Sequence, residues 1–174
     1  MSMTVMAYAI KVDDVRLLLG SKRSDLNPPA EAHPDVAAAF TELVQGATGS
    51  RDPQDYVDAL ELMCRMLGRG LPNSGLATID TGHFDKVNDA LKRYGIGFDL
   101  ETVVYSGASL GHSVLDHSTR FGFVSAERLK GAVQVLEGEA MTSDDAAVDE
   151  ALSNIETWLE IATASELDIV GFFY

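Results

Sequence analysis

Met3-Thr4-Val5-Met6-Ala7-Tyr8-Ala9-Ile10 reads as a strand with two apolar sides: Val5, Ala7 and Ala9 on one, Met6, Tyr8 and Ile10 on the other. A strand with one wet face alternates apolar and polar residues, so this stretch predicts a central strand covered on both faces. The far end, residues 167–174, is rich in β-branched and aromatic residues and predicts a second strand, docked in the sheet although it is a terminus. The two are expected to be neighbours in one small sheet.

Between them the pattern is mainly helical. Asp13 or Asp14 can cap a short helix that Gly20 closes, and residues 21–34, with three prolines, form an irregular connection. Residues 35–45 continue as a helix with Val36, Phe40, Leu43 and Val44 inward. Asp52-Pro53 is a start signal for a helix to about Leu67, whose Tyr56, Val57, Leu60, Met63, Cys64 and Leu67 form one core face. Residues 71–80 read as a loop with a short extended piece at 76–79. Residues 83–94 are an amphipathic helix closed by Gly95. Thr102-Val103-Val104-Tyr105 looks like a strand, and 106–120 a long polar loop. Residues 121–124 form a further short strand, and Ser125 caps a helix over 126–137. Ser143 caps the longest helix, to about Ala164, with Val148, Leu152, Ile155, Leu159 and Ala162 inward. Strands and helices do not alternate regularly, which predicts an α+β fold. The expected architecture is a single compact domain over 1–174, with a small mixed sheet that includes the N- and C-terminal strands, packed against five or six helices.

The chain has 174 residues, enough to bury a core without staples. Its longest stretch without a charged residue, 102–115, is too short and too polar for a spanning helix. The first ten residues lack the basic start of a secretory signal. The single cysteine, Cys64, sits in an apolar helical pattern, and both points place the protein in the cytoplasm.

The net charge of −14 is concentrated at one end. Residues 131–174 hold ten acids and no Lys or Arg, so the last quarter carries −10. A field of that sign repels phosphate backbones and anionic membrane surfaces, which argues against nucleic acid and membrane as partners. A basic protein is the class of ligand it attracts. Asp145, Asp149, Glu156 and Glu160 form a ridge on the longest helix without the Lys or Arg that i,i+4 pairing would supply. They are the candidate partner-binding residues, against the plainer reading of a solvated face. Edge pairing through the terminal strand is a route to a homodimer.

Catalytic patterns are sparse. Gly107-Ala108-Ser109-Leu110-Gly111 fits G-x-S-x-G, the elbow that exposes a nucleophilic serine between a strand and a helix. Its general base would have to be His112 or His117, since no histidine follows. His112, Asp116 and His117, with His83 and Asp80 as further donors, could ligate Zn²⁺ or Mn²⁺, although no recurrent metal motif is present. The plainer reading makes His112 and His117 polar residues of a solvent-facing loop. Phosphate-binding glycine motifs are absent, and no cofactor is expected.

Three segments carry a family resemblance. Residues 1–10 with Asp13-Asp14-Val15-Arg16-Leu17-Leu18-Leu19-Gly20, then 103–110 with Phe121-Gly122-Phe123-Val124-Ser125-Ala126-Glu127, and finally 158–174 resemble the YfbM-like bacterial proteins of unknown function. The resemblance implies a compact α+β domain of the bacterial cytoplasm and brings no catalytic residues with it. From the all-acidic last quarter and the lack of a convincing catalytic constellation, the function expected is a non-enzymatic protein-binding module, an inhibitor of the immunity or antitoxin type that neutralises a basic partner. The alternative is a hydrolase using the 106–117 loop, with Ser109 as nucleophile or a metal at His112, Asp116 and His117.

Overall fold

The computed structural model describes residues 3–47, 49, 51–107, 110, 112, 115 and 120–174. Strand β1 (Val5–Ile10) leads into α1 (Val12–Leu18), followed by α2 (Pro34–Gln45) and α3 (Pro53–Leu67). A two-residue strand β2 (Arg69–Gly70) and a 3-10 turn (Ser74–Leu76) precede α4 (Thr81–Tyr94) and α5 (Leu100–Tyr105). Then come β3 (Phe121–Val124), α6 (Ala126–Leu136), α7 (Ala146–Ala164) and β4 (Asp168–Phe173). The fold is α+β as expected.

The sheet order is β2-β1-β4-β3, and all three strand pairs are antiparallel. An isolated parallel bridge between Gly107 and Gly122 makes the β3 edge mixed. The chain ends meet as expected, Val5 opposite Phe173 and Ile10 opposite Asp168. Strand β4 is an inner strand, so the terminal segment offers no edge to a second copy. That corrects the route to a homodimer through it, because both of its sides are already hydrogen-bonded.

Period-two alternation sends the sheet's side chains into two cores. Val5, Ala7, Ala9, Val124 and Ile169 face α4, α5, α6 and α7. Tyr8, Ile10, Phe121, Val170 and Phe172 face α1, α2 and α3. The two apolar sides of residues 3–10 are thus both used. Trp158, fully buried on the first face, donates its indole N–H to the Pro72 carbonyl at 2.5 Å and so ties α7 to the segment before the 3-10 turn.

Residues 102–105 are helical, which overturns the strand expected there. Asp99 Oδ1 accepts from the Thr102 N–H and hydroxyl, both at 2.8 Å, and buried Asn88 Oδ1 takes the Leu100 N–H at 2.7 Å. The helix start is therefore satisfied by side chains, which outweighs the β-propensity of Val103 and Val104. Helix α5 lies against a row of small residues crossing the sheet, Ala7 opposite Gly171 and Gly171 opposite Gly122. A Cβ on Gly171 would stand 2.4 Å from Val103 Cγ1 and 2.8 Å from the Val103 carbonyl oxygen. One on Gly122 would stand 2.5 Å from the Thr102 carbonyl oxygen. The glycines are there for the close approach of a helix backbone.

Other boundaries shift for local reasons. The cap of α7 is Asp145, which accepts from Ala147 N at 3.1 Å, and Ser143 Oγ instead accepts from Asp145 N. Neither Asp13 nor Asp14 caps α1. Asp168 Oδ2, from the start of β4, takes the Val12 N–H at 2.9 Å, while its Oδ1 takes Ala126 N at 2.8 Å. One carboxylate thereby serves the first turns of α1 and α6. The 76–79 segment holds the end of the 3-10 turn and then a bridge between Ile79 and Met3.

Near the end of α2, Glu42 accepts from the Tyr56 hydroxyl at 2.5 Å and from Arg51 Nε at 2.8 Å. The Tyr56 hydrogen bond first, and Arg51 second, hold its carboxyl below the ordinary carboxylate range. A carboxylate whose folded pKa is depressed contributes stability above its unfolded value, roughly 4.3, and loses it as the pH falls through the folded one. Thermal unfolding of Glu42→Gln should therefore show a lower midpoint than wild type at neutral pH, with the gap closing on acidification below about pH 4. A gap that stays constant down that range would show that the Glu42 charge makes no difference to stability.

Candidate functional site

Of the described residues of the 106–120 segment, Leu110, His112 and Leu115 are buried, while Ser106 and Arg120 are exposed. Ser109, Asp116 and His117 lie outside the described residues. His112 is 7% exposed, which corrects its placement on a solvent-facing loop; Leu110 and Leu115 on either side are drawn into the core with Phe121 and Phe172. A serine elbow needs a strand before the turn, and here a helix, α5, runs to Tyr105 instead. Among the described residues no three His, Cys, Asp or Glu side chains converge as metal ligands. His83 and Asp80 are engaged at the start of α4, where Asp80 Oδ1 caps His83 N at 2.8 Å and the His83 ring Nε2 lies 3.2 Å from the Gly75 carbonyl oxygen. Cys64 is fully buried, and burial pushes its thiol pKa far up, the condition of an inert structural thiol.

The acidic ridge of α7 is differently used than its spacing suggests. Asp145 caps the helix and pairs with Lys86 of α4 at 2.8 Å. Asp149 accepts from Ser143 N at 3.1 Å, and Glu156 accepts from Met141 N. Tyr94 completes the clamp, donating its hydroxyl to the Thr142 carbonyl at 3.0 Å and accepting from Thr142 N at 2.8 Å. Together these hold residues 138–145, which have no ladder of their own, and seat Met141 in the core. Backbone N–H groups take the place of the missing Lys and Arg along much of the ridge. Hydrogen bonds from backbone to a charged acceptor are among the stronger ones. A face count along a helix cannot reveal them, because the donors belong to another segment.

Glu160, the fourth member, is exposed and makes no ion pair among the described residues. The same holds for Glu137, Glu139, Asp144 and Glu150. Nearby cations are engaged: Lys130 with Glu166 at 2.6 Å, and Arg128 Nε with the Gly97 carbonyl at 2.6 Å.

Two concavities adjoin this end of the molecule. A wide cleft of about 960 Å³ runs between α4, which contributes Lys86, Lys92 and Arg93, and the approach to α7, which contributes Thr142, Ser143, Asp144 and Asp145. Its α4 wall carries Asp89 beside the three cations, and the Lys86–Asp145 pair joins the two walls. A smaller groove of about 210 Å³ opens between α6 and α7, with Val133, Leu136 and Leu159 as apolar lining and Glu139, Glu156 and Glu160 as acidic lining. Val133 is 41% exposed, which is high for an apolar helix residue beside a groove. Neither concavity is visible in the sequence, since each forms only where two elements pack together. The acidity of the second is, because all its charged residues fall in the cation-free last quarter.

On the opposite face of the sheet, Glu61 takes hydrogen bonds from two phenols, Tyr8 at 2.6 Å and Tyr174. Burial first, and the Glu61 hydrogen bond second, push both phenol pKa values up. The three side chains join α3 to the ends of β1 and β4, a structural tie.

Among the described residues no helix is long and apolar enough to cross a membrane. No curated protein and no solved structure matches the chain. One family does, over residues 1–174, and the chain accordingly belongs to the family described as a domain of unknown function, DUF7691.

Proposed function

We propose that this protein is a non-enzymatic binding module of the bacterial cytoplasm whose partner is a basic protein, in the manner of an immunity protein or antitoxin. The observation that carries this reading is the one-signed surface of the last quarter: Glu137, Glu139, Asp144, Glu150 and Glu160 are exposed, and residues 131–174 contain no cation to neutralise them. Such a field accelerates encounter with a basic surface and repels nucleic acid and anionic lipid. The buried, unpaired Cys64 thiol suits a reducing compartment.

The test must leave the clamp intact, so Asp145, Asp149 and Glu156 are kept. Immobilised wild type and a variant with Glu137, Glu139, Glu150 and Glu160 changed to Gln are exposed to a bacterial extract and eluted with rising salt. A basic protein held by wild type, released early by salt and missing from the variant is the expected result, because exposed charges are screened beyond ~8–10 Å at physiological ionic strength. Equal retention by both proteins, or retention indifferent to salt, would overturn the reading.

A further inference from the structure

We infer that the α6–α7 groove is the docking point, and that it takes an apolar side chain carried on a Lys/Arg-rich segment of the partner. The inference rests on the proposed binding role and specifies its site. Charge alone attracts a basic surface without fixing where or how it sits. The groove adds a place: Val133 and Leu136 present apolar surface over the buried Leu159, between the carboxylates of Glu139, Glu156 and Glu160. At about 210 Å³ it is smaller than the ~300–1,000 Å³ clefts that enclose drug-sized ligands, and it suits a side chain better than a cofactor.

Charge complementarity selects the occupant. Among the described residues Glu139 and Glu160 are exposed with no ion pair of their own, and Glu156, which accepts from Met141 N, also lines the groove. A purely apolar occupant would bury or crowd these carboxylates, and an acidic one would be repelled. An apolar residue flanked by Lys or Arg satisfies both parts, seating the anchor against Val133 and Leu136 with the cations over the rim. The wide cleft beside α4 lacks this selectivity, since its lining carries both signs and Lys86 is already paired with Asp145 across it.

Three short labelled peptides of equal length test this by fluorescence anisotropy: one of leucine and lysine in an amphipathic helical pattern, one of lysine alone, and one of leucine and glutamate. The leucine–lysine peptide should bind wild type about tenfold or more tighter than the lysine peptide, the gain expected from burying one large apolar side chain. Val133→Asn should erase that difference. Val135→Asn, on the same helix at a residue 53% exposed that does not line the groove, should preserve it. Both sites are exposed, so neither variant threatens the fold, and circular dichroism verifies that. If the two lysine-containing peptides bind equally, the groove is not the docking point although charge-driven binding stands. If Val133→Asn changes nothing while the leucine–lysine peptide keeps its advantage, the anchor sits elsewhere and the inference fails. If neither lysine-containing peptide binds more tightly than the leucine–glutamate one, the binding role itself falls with it.

Discussion

Gly171→Val is expected to abolish folding, and Gly171→Ala to lower the unfolding free energy by about 2–3 kcal/mol. The alanine Cβ would meet Val103 Cγ1 at 2.4 Å and the Val103 carbonyl oxygen at 2.8 Å, and the second of these is helix backbone that cannot rotate away. Helix α5 would have to lift off the sheet, and it is tied down at its start by Asn88 and Asp99. Against a total stability of ~5–15 kcal/mol for a domain, such a loss is large, and the two extra carbons of valine make it worse. Gly122→Ala should act on the same helix through the Thr102 carbonyl, so the double variant should lose less than the sum of the singles. Gly131→Ala is the control: it lies inside α6 with nothing within 4 Å of the added carbon. It should stabilise by about 0.5–1 kcal/mol. Chemical denaturation of these variants decides it, and a Gly171→Ala midpoint equal to wild type would mean that α5 does not sit where the structure puts it.

Asp168→Ala carries the second large effect. Its two oxygens accept from Val12 N and Ala126 N, and both donors open a helix. Hydrogen bonds to a charged group contribute about 1.5–3 kcal/mol each, so their joint loss should cost about 3 kcal/mol or more. Asp168→Asn keeps one carbonyl oxygen and should lose about half as much. Hydrogen exchange gives the sharper readout: protection should fall in the first turns of both α1 and α6, which are far apart in sequence. Loss confined to one helix, or a stability within ~0.5 kcal/mol of wild type, would contradict the shared cap.

Where the sequence is legible, a single local rule governs the outcome. Both faces of residues 3–10 are apolar because two cores flank β1, and the Asp52-Pro53 and Ser125 signals stand at helix starts where the structure has them. Where it misleads, a distant group decides. Val103 and Val104 favour a strand until Asn88, Asp99 and the glycines of β3 and β4 are brought against them. Asp13 and Asp14 offer a cap to α1, but Asp168 takes that role from the other end of the chain. His112 looks like a polar loop residue, yet it is buried, as are Leu110 and Leu115. The acidic ridge is visible as a pattern, yet its division between internal duty at Asp145, Asp149 and Glu156 and free charge at Glu160 depends on the 138–145 segment folding back onto α7. The groove itself, built from α6 and α7, has no signature in either helix alone.

That groove is the centre of the functional account, and amide chemical shifts locate an occupant most directly. Titrating isotope-labelled wild type with the leucine–lysine peptide should move the resonances of Val133, Leu136, Glu139, Leu159 and Glu160 together and leave those of Lys86, Lys92 and Asp144 in place. Shifts centred on the α4 cleft, or spread evenly over every exposed acid, would contradict it.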